Sequence, residues 1–359
     1  MAELASLCVA PTDSIKSAIA CIEFNRTGIA LVTDSGRRLL GTVTDGDVRR
    51  AILAGIKLTA PVSAIITRKK RGRGGYVTPV TAPVGLSRPA LLKFMKDKKV
   101  FQLPFVDEAG RVVDLVTLEE LAPRGAATLR AVIVAGGYGT RLRPLTDDLP
   151  KPMLPVGDRP LMQHTVERLR DAGIKKVSVT THYRSHKISD YFGDGQRFGV
   201  ELDYVVEEQP LGTAGSLSML CATNEPMLVI NGDIVTDIDY RAMVSYHQEH
   251  QAEMTVGVRP WELKVPYGVL ECHHARVRSV REKPEIRFLV NAGIYLLEPT
   301  VHRYIPNAKR FDMTDLIQAL LDDKRPVVGF PVHEYWADVG HPDVYEQLRM
   351  GMSKEQGWS

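Results

Sequence analysis

Residues 131–157 read AVIVAGGYGTRLRPLTDDLPKPMLPVG, and no other part of the chain says more about its fold. The apolar start, Ala131 to Ala135, predicts a buried strand. Arg141 and Lys151 add two positive charges farther along. Glycines at a strand's end let the backbone approach a ligand and turn N–H groups toward anionic oxygens; here they are Gly136, Gly137 and Gly139. The stretch therefore predicts a polyphosphate site.

Two common phosphate-binding loops do not match this stretch. A P-loop requires Gly, four residues and then Gly-Lys-Ser or Gly-Lys-Thr, and no such string follows the strand. A dinucleotide-binding fingerprint requires a third glycine that opens a helix, whereas Thr140 follows Gly139 here. An immediate helix is also disfavoured by prolines, at Pro144, Pro150, Pro152 and Pro155. We therefore expect a long, irregular loop.

The composition is that of a soluble protein with two or three domains: 359 residues, 44% hydrophobic and 25% charged. No apolar run approaches the length of a membrane span, and the first residues lack the basic and apolar regions of a signal peptide. The four cysteines form no Cys-x-x-Cys pattern, which fits reduced, buried thiols. We therefore expect a cytoplasmic protein without a membrane partner.

Positive charge is concentrated in the first third of the chain. Residues 1–127 contain 19 Lys and Arg against 12 Asp and Glu, although the net charge of the whole chain is only +3. Part of this excess is the run RKKRGRGG at residues 68–75, which predicts a solvated loop. Because no aromatic side chains interleave with these charges, nucleic acid is not an expected partner.

The first third also contains an internal repeat. Residues 28–50 and 101–121 align at a shift of 73 residues, which places Asp34 over Asp107. Each copy, with the segment before it, reads helix, strand, turn, strand, helix. A unit this small cannot bury its own apolar face, so the two copies should pack together.

Proline, glycine and alanine are frequent just after the repeat and mark a linker at residues 123–129. The linker divides the chain into a front module, residues 1–122, and a back domain, residues 130–359.

In the back domain, predicted strands and helices alternate. Apolar runs predict strands at 176–181, 202–206 and 227–231, and apolar periodicity predicts helices at 159–172, 213–222, 240–250, 314–322 and 342–352. This order predicts a mostly parallel sheet covered on both faces, with ligands outside the carboxyl ends of its strands. Asp233 follows such a strand; an aspartate there can cap a helix, or bind Mg²⁺ as a hard oxygen ligand.

The strings GGYGTRLRPLT and PKPMLPVGDRPLM, within residues 136–162, closely resemble the signature of the sugar-1-phosphate nucleotidyltransferases. The resemblance extends from residue 130 to about residue 350. It implies a Rossmann-like nucleotidyltransferase fold of the α/β class. It also implies an enzyme that joins a nucleoside triphosphate to a sugar 1-phosphate, releases pyrophosphate and uses Mg²⁺.

The same resemblance implies roles for individual residues. It makes Arg141, Lys151 and Asp233 catalytic and assigns the metal to Asp233 and Asp338. It assigns nucleotide binding to Ala135, Gly136, Gly137, Gly139, Thr140, Gln209, Pro210, Gly212 and Thr213. It assigns the sugar phosphate to Gly268, Glu282, Lys283 and Asn291.

The repeat in the front module resembles two CBS motifs, a tandem α+β module that commonly binds adenosine or guanosine nucleotides. Gly41, Thr44 and Asp47 match the motif's glycine, hydroxyl and ribose-binding carboxylate. Thr117 and Glu120 are their counterparts in the second copy, where Asp114 replaces the glycine and makes that site less favourable for a phosphate. A module that only dimerises or supports the enzyme is the alternative.

The string Pro-Leu-Gly-Thr-Ala-Gly at 210–215 resembles guanylyltransferases, so we expect GTP and a hexose or hexosamine 1-phosphate as substrates. A cytidylyl- or thymidylyltransferase of the same family is one alternative, and a non-catalytic nucleotide-sensing regulator is another. The expected partners are therefore these two substrates, a regulatory nucleotide at the CBS pair, and further copies of the chain in a dimer or tetramer.

Overall fold

The computed structural model describes residues 4–71, 78–83, 85–121, 129–221 and 223–350. The chain divides into two compact units, Met1–Ala126 and Ala127–Ser359, called the front unit and the back unit below. Most of the predicted linker at 123–129 lies outside the described residues.

The front unit is built of short strands and helices. Its strands are β1 (Cys8–Val9), β2 (Ile29–Thr33), β3 (Leu39–Thr44), β4 (Gln102–Val106) and β5 (Val112–Thr117). Its helices are α1 (Ile15–Asn25), α2 (Asp45–Leu53), α3 (Ser63–Arg71), α4 (Arg88–Lys98) and α5 (Leu118–Leu121). Strands β1, β2 and β3 form one sheet, and β4 and β5 form a second.

The two halves of the front unit repeat one turn. Asp34 Oδ1 accepts hydrogen bonds from the amides of residues 36 and 38, and Asp107 Oδ1 accepts them from residues 109 and 111. The two turns pair with each other, since Leu39 N–H donates to the Gly110 carbonyl at 3.0 Å. Buried side chains from both halves share a small core: Leu7, Ile29, Leu31 and Val112. The prediction that the copies pack together is confirmed.

The first half of the basic run, residues 68–71, is not the loop that its charges predict. These residues belong to helix α3, and the rest of the run, residues 72–75, lies outside the described residues. Lys69 Nζ donates to Asp47 Oδ2 at 2.6 Å and to the Thr42 carbonyl at 3.1 Å. The prediction was wrong because a charge pattern does not reveal a buried carboxylate elsewhere in the chain that needs a cation.

The back unit contains the remaining elements. Its strands are β6 (Arg130–Ala135), β7 (Pro155–Val156), β8 (Arg159–Pro160), β9 (Lys176–Thr181), β10 (Glu201–Val206), β11 (Met227–Asn231), β12 (Ile234–Thr236), β13 (Met254–Lys264), β14 (Val269–His273), β15 (Arg276–Arg281), β16 (Glu285–Leu297), β17 (Val327–Pro331) and β18 (Trp336–Asp338). Its helices are α6 (Leu161–Asp171), α7 (Ser185–Phe192), α8 (Gly212–Gly215), α9 (Tyr240–Glu249), α10 (Met313–Asp322) and α11 (Pro342–Arg349). Short 3-10 helices include Thr140–Leu142, Lys151–Met153 and Ser216–Met219.

Seven strands form the main sheet, in the order β10-β9-β6-β11-β16-β13-β17. All neighbours pair in parallel except β16, which is antiparallel to β11 and to β13. Asn231, at the end of β11, pairs with Val134 near the end of β6. The loops that follow these two strands therefore start side by side, as the sequence predicts.

Both faces of this sheet are covered. Along β6, Ile133 faces a core shared with α6, α7 and α9, and Val132 faces a second core shared with α8 and α10. Strand β11 alternates in the same way, with Leu228 in the first core and Val229 in the second. Burial on both sides explains why these strands read as continuous apolar runs.

Several predicted boundaries shift. The helix expected at 213–222 is a one-turn helix, α8, followed by a 3-10 helix, and residue 222 lies outside the described residues. The helix expected at 159–172 begins at Leu161, and that expected at 342–352 is described only to Arg349. Cys221 and Cys272 are exposed and Cys8 and Cys21 are only partly buried, so the prediction of buried thiols was wrong. Among the described residues, no helix has the length and apolarity that a membrane crossing requires.

Candidate active site

The loop after β6 folds back on itself through Gly139. This residue has φ of +64°, which favours glycine, and a Cβ there would lie 2.9 Å from the Thr146 side chain. Thr146 Oγ1 donates to the Gly139 carbonyl at 2.8 Å, which fixes the fold-back. A Cβ on Gly139 would also lie 3.4 Å from Lys151 Cβ. The fold-back therefore brings Lys151 next to the glycine-rich segment, whereas Gly137 and Thr140 stay exposed.

Two carboxylates from distant parts of the sequence meet at the strand ends. Asp233 directly precedes β12, and Asp338 ends β18, which pairs antiparallel with β12. Ile234 is opposite Asp338 in this pairing, and Val339 N–H donates to the Asp233 carbonyl at 3.0 Å. Backbone pairing therefore places the two aspartates side by side, as the resemblance implies.

Lys151 lies between these carboxylates. Its Nζ is 2.5 Å from Asp233 Oδ2 and 3.8 Å from Asp338 Oδ1, and the residue is 8% exposed. The guanidinium of Arg141 lies beside Asp338. Both side chains contact the same point next to Gly340, where an added Cβ would be 3.1 Å from Asp338 Oδ1 and 3.4 Å from Arg141 Nη1. The structure thus brings together the four charged side chains that the sequence predicts.

The charges of this group balance, but its hydrogen bonding is incomplete. Burial and the neighbouring Asp233 raise the pKa of Asp338, while Lys151 and Arg141 oppose that shift. Asp233 Oδ1 and Asp338 Oδ1 are buried and have no hydrogen-bond partner among the described residues. Unpartnered buried oxygens are costly, and hard oxygen donors are the ligands that divalent cations such as Mg²⁺ prefer. The two aspartates therefore fit a divalent cation.

Glu207 is a site residue that the sequence analysis missed. It follows β10 and is 4% exposed; its Oε2 accepts a hydrogen bond from Leu211 N–H at 2.9 Å. A Cβ on Gly136 would lie 2.7 Å from Glu207 Oε1, so the carboxylate touches the glycine-rich loop. Burial raises the pKa of this carboxyl group. The sequence gives no signal for this residue, because Glu208 follows Glu207 directly and only the structure shows that Glu207 is the buried one.

The glycine-rich loop is also tied to the ends of β9 and β10. His182 Nδ1 lies 2.7 Å from the Glu207 carbonyl, which can only accept, so Nδ1 carries the proton. In neutral His182, Nε2 then accepts from Tyr138 O–H at 2.9 Å. Tyr138 therefore fixes the tip of the glycine-rich loop to the residues beside Glu207.

The predicted base-binding segment is held against the start of α10. A Cβ on Gly212, whose φ is +81°, would lie 2.5 Å from Asp312 Oδ1, and Thr213 N–H donates to that oxygen at 3.0 Å. Thr213 Oγ1 accepts from Met313 N–H at 2.8 Å, so this hydroxyl is engaged within the protein. The side chains of Gln209 and Pro210 are exposed, whereas Ala135 is 2% exposed and offers its backbone alone.

The predicted sugar-binding residues lie in more than one place. A Cβ on Gly268 would lie 3.1 Å from Glu282 Oε2, so these two residues are adjacent. Lys283 is exposed, and among the described residues it makes no ion pair with Asp233 or Asp338. Asn291 donates through Nδ2 to Tyr295 Oη at 2.8 Å, and its Oδ1 accepts from Gly293 N–H at 2.9 Å.

In the front unit, the predicted ligand residues make contacts within the protein. Thr44 and Asp47 form a capping box at the start of α2, and Asp47 also pairs with Lys69 and Arg50 at 2.6 Å each. A Cβ on Gly41 would lie 2.7 Å from Ile66 of α3, so this glycine makes room for a helix.

The second copy repeats only part of this arrangement. Thr117 N–H donates to Glu120 Oε2 at 2.8 Å, and Glu120 N–H donates to Thr117 Oγ1 at 3.3 Å. Glu120 is exposed, and no ion pair within the described residues engages its carboxylate. The copies therefore share a helix cap and differ in how the acidic side chain is compensated.

Comparison with known protein families assigns both parts of the chain. The family model for nucleotidyl transferases matches residues 130–355. The chain belongs to the nucleotidyl transferase family. The model for the CBS domain matches residues 5–54. The predictions of family and fold are confirmed.

Curated relatives differ in the nucleotide they are named for. The chain is 33% identical over 249 residues to UTP–glucose-1-phosphate uridylyltransferase of Synechocystis, covering 63% of this chain and 64% of that one. It is 34% identical over 221 residues to the catalytic subunit beta of mannose-1-phosphate guanylyltransferase of Drosophila melanogaster, covering 59% and 60%. The chain thus spans less than two thirds of the length of these relatives.

Solved structures of the same fold cover the back unit. A putative glucose-1-phosphate thymidylyltransferase from Bacillus anthracis, in complex with a sucrose, aligns with a TM-score of 0.52 at 25% identity, covering 64% of this chain and 97% of that one. HddC from Yersinia pseudotuberculosis, complexed with GMP-PN, aligns with a TM-score of 0.50 at 25% identity, covering 62% and 99%.

Proposed function

We propose that the back unit transfers a nucleotidyl group from a nucleoside triphosphate to a sugar 1-phosphate and releases pyrophosphate. The observation that carries this proposal is the group formed by Arg141, Lys151, Asp233 and Asp338 at the ends of β6 and β11. It combines two cations with two carboxylate oxygens that lack hydrogen-bond partners. Such a group suits a reaction in which several phosphates must be brought together.

In the proposed reaction, a phosphate oxygen of the sugar 1-phosphate attacks the α-phosphorus of the triphosphate. A new P–O bond forms, and the bond to the β-phosphate oxygen breaks with its electron pair leaving on pyrophosphate. No general base is required, because the attacking oxygen is already ionised at neutral pH. Catalysis then consists of positioning and charge neutralisation.

Each charged side chain has a part in this scheme. Arg141 holds the leaving pyrophosphate, Lys151 steadies the α-phosphate, and Lys283 binds the phosphate of the sugar. Asp233 and Asp338 would hold Mg²⁺, which supplies positive charge to the crowded phosphate oxygens when bound. Because no group of three or more His, Cys, Asp or Glu metal ligands occurs within the described residues, substrate oxygens and water would complete its coordination.

GTP is the proposed triphosphate, and Glu207 supports that choice. Guanine presents two neighbouring N–H donors on one edge, and a carboxylate accepts two hydrogen bonds of this kind. Glu207 is buried beside the glycine-rich loop, and among the described residues its carboxylate receives a hydrogen bond from Leu211 N–H alone. The names of several relatives agree, since they are guanylyltransferases. A hexose or hexosamine 1-phosphate is the proposed acceptor.

For the front unit we propose regulation by an adenosine or guanosine nucleotide that binds through Gly41, Thr44 and Asp47, with Thr117 and Glu120 at the second copy. Lys69 occupies Asp47 Oδ2 at 2.6 Å, so a ribose hydroxyl would have to displace it. Addition of AMP, ADP or GMP to the full chain should change pyrophosphate release, and unchanged rates would leave a supporting role for this unit.

A substrate matrix tests the proposed activity. Five nucleoside triphosphates are combined with a panel of sugar 1-phosphates, and pyrophosphate release is measured with and without Mg²⁺. We expect turnover with GTP and one hexose or hexosamine 1-phosphate, dependent on the metal. Preference for another triphosphate would overturn the choice of GTP alone. Binding of a triphosphate without pyrophosphate release, under every combination, would instead favour a nucleotide-sensing regulator.

A further inference from the structure

Three consecutive residues directly after β9 hold the loop that follows β6, although no step of the proposed reaction uses them. These residues are His182, Tyr183 and Arg184, called the clasp below. The loop, residues 136–150, carries the glycines and Arg141 of the predicted polyphosphate site. The side chains of the clasp bind this loop at two places, one on each side of Arg141.

The first attachment is made by His182. Its Nε2 lies 2.9 Å from Tyr138 Oη, and its Nδ1 lies 2.7 Å from the main-chain carbonyl of Glu207. That carbonyl can only accept, so in the neutral ring Nδ1 donates and Nε2 accepts from the Tyr138 hydroxyl. The two rings also meet edge to face, with their centroids 5.3 Å apart. Tyr138 is thereby tied to the ends of both β9 and β10.

The second attachment is made by Tyr183 and Arg184. The Tyr183 hydroxyl donates to the main-chain carbonyl of Asp147, and Arg184 Nη2 donates to the same oxygen at 3.3 Å. A carbonyl oxygen has two lone pairs and can accept from both donors. Arg184 Nη2 also lies 3.2 Å from Asp148 Oδ1. The far side of the loop is therefore fastened to the clasp through its backbone and through one side chain.

The two attachments contact each other through aromatic rings. The ring of Tyr183 lies 5.6 Å from the ring of Tyr138, and the Arg184 guanidinium lies 5.6 Å from the centroid of the Tyr183 ring. Ring pairs and cation–π contacts at these distances are stabilising. Residues in contact do not contribute independently, so loss of one attachment also weakens the other.

Arg141 lies in the span between the attachments, residues 139–146. Thr146 Oγ1 donates to the Gly139 carbonyl at 2.8 Å, which closes this span on itself. Arg141 is exposed, and its guanidinium lies beside Asp338. The position of the guanidinium therefore depends on a closed span whose two ends are fastened by the clasp.

We infer that the clasp positions Arg141 for the phosphates of the triphosphate. The three residues of the clasp are positioning residues, because they act on the loop and through it on Arg141. This inference rests on the proposed function, which assigns the leaving pyrophosphate to Arg141. A contact made equally before and during the reaction changes KM and leaves kcat unchanged. The clasp therefore sets the affinity for triphosphate and pyrophosphate, and leaves the affinity for the sugar 1-phosphate unchanged.

The test removes one hydroxyl at each attachment. Tyr138→Phe and Tyr183→Phe keep the rings, so each should raise the dissociation constant for pyrophosphate about fivefold, the effect of one hydrogen bond. Titration calorimetry of the full chain with Mg²⁺ and inorganic pyrophosphate measures this constant whichever base the enzyme prefers. The double variant should stay below about tenfold, because the two attachments are in contact.

Tyr204→Phe is the matched control. Tyr204 Oη donates to the Gly193 carbonyl at 2.7 Å, which is a bond of the same kind away from the loop. This variant should bind pyrophosphate as the wild type does.

Steady-state kinetics separate positioning from a general loss of structure. Tyr138→Phe and Tyr183→Phe should raise KM about fivefold for the triphosphate that the substrate matrix identifies. In both variants, kcat and KM for the sugar 1-phosphate should change by less than about twofold. An equal rise of KM for both substrates would overturn the inference.

The remaining outcomes distinguish the clasp from the proposed function. A wild-type chain that binds pyrophosphate without turnover would contradict the proposed reaction, and the binding constants of the variants would still decide the role of the clasp. Unchanged pyrophosphate binding in both single variants would overturn the inference alone. So would a rise of about 25-fold in the double variant, because it would show two independent attachments. A wild-type chain that binds no pyrophosphate would overturn both.

Discussion

Both units contain a lysine paired with a buried or partly buried carboxylate. They differ in whether the second oxygen of that carboxylate has a hydrogen-bond partner. In the front unit, Lys69 is 2.6 Å from Asp47 Oδ2, Arg50 is 2.6 Å from Asp47 Oδ1, and Thr44 N–H donates to the same carboxylate at 3.0 Å. Both oxygens of Asp47 are engaged. This arrangement fixes the start of α2 and is complete without a ligand.

In the back unit, Lys151 is 2.5 Å from Asp233 Oδ2, yet Asp233 Oδ1 and Asp338 Oδ1 are buried without hydrogen-bond partners. Glu207 is intermediate, with a hydrogen bond from the Leu211 amide at Oε2. A buried polar atom without a partner costs free energy, so it persists where a ligand supplies the missing contact. The comparison teaches that unpartnered carboxylate oxygens, rather than an ion pair as such, distinguish a group that can accept a ligand directly from one in which a ligand must first displace a lysine.

The largest expected effect belongs to Asp233. Asp233→Asn removes a charge that the proposed cation requires, so pyrophosphate release at saturating Mg²⁺ should fall by roughly 1,000-fold. The thermal midpoint should fall as well, because the buried Lys151 loses its nearest carboxylate, so turnover is compared at a temperature at which circular dichroism shows the variant to be folded. Asp237→Asn, at an exposed aspartate that pairs with Arg168, is the control and should keep full turnover. Equal turnover in both variants would remove Asp233 from the reaction.

Glu207 should have a smaller and selective effect. Glu207→Gln replaces two acceptors with one acceptor and one donor, so kcat/KM for GTP should fall about 10- to 100-fold relative to that for CTP or UTP. Steady-state kinetics with each triphosphate measure this ratio. Glu208→Gln, the exposed neighbour, should leave the ratio unchanged. A uniform loss with every triphosphate would indicate that Glu207 only supports the loop.

Asp47 should affect stability. Asp47→Asn leaves Lys69 and Arg50 without their carboxylate, and because both are partly exposed the free energy of unfolding should fall by about 2–3 kcal/mol. The repeat provides a control, since Glu120→Gln at the equivalent, exposed position should cost less than about 1 kcal/mol. Urea unfolding of the full chain measures both values. Equal losses would contradict a structural role specific to Asp47.

The smallest expected effect is a difference in acid sensitivity. Burial lowers the pKa of His247, which accepts from Thr255 and donates to Glu298 in its neutral form. Its contribution to stability is complete above its ordinary pKa of 6.5 and is lost as pH falls below that value. The pKa of Asp47 is also lowered: burial opposes this shift, but Lys69 and Arg50 outweigh it. Its contribution is lost only as pH falls below 3.8.

Calorimetry between pH 7.5 and 4.5 should therefore show the midpoint of the back unit falling first. His247→Gln removes this titration and should flatten the decline between pH 6.5 and 5. A front unit that loses stability over the same range would contradict the assignment.

Much of the back unit could be predicted because its central strands are buried on both faces. Continuous apolar runs marked β6 and β11, whereas the edge strand β10 is exposed or half-exposed along its length. Residues that follow a strand in an α/β sheet face the ligand crevice. The position of Asp233 after such a strand predicts its place in the site, whereas Asp338 is predicted only by the resemblance to the family. Their proximity depends on the pairing of β12 with β18, which is 3 residues long on each strand and too short to predict.

What could not be predicted depends on tertiary contacts. Helix α3 ends in four consecutive basic residues, which favour solvent exposure when only the sequence is considered. Its position is set by Lys69 reaching Asp47, twenty-two residues earlier. Glu207 and Glu208 are chemically alike, and only the packing of β10 turns the first one inward.

The pairing of β12 with β18 has a consequence for synthesis of the protein. A nascent chain that has emerged only as far as Pro331 contains every strand of the main sheet but lacks Asp338, one of the two aspartates proposed to hold a cation. Such an intermediate can fold its sheet and remain inert. The proposed reaction would therefore become possible only when the last short strand, β18, has paired. Spectroscopic evidence of a formed sheet would not by itself report an active enzyme.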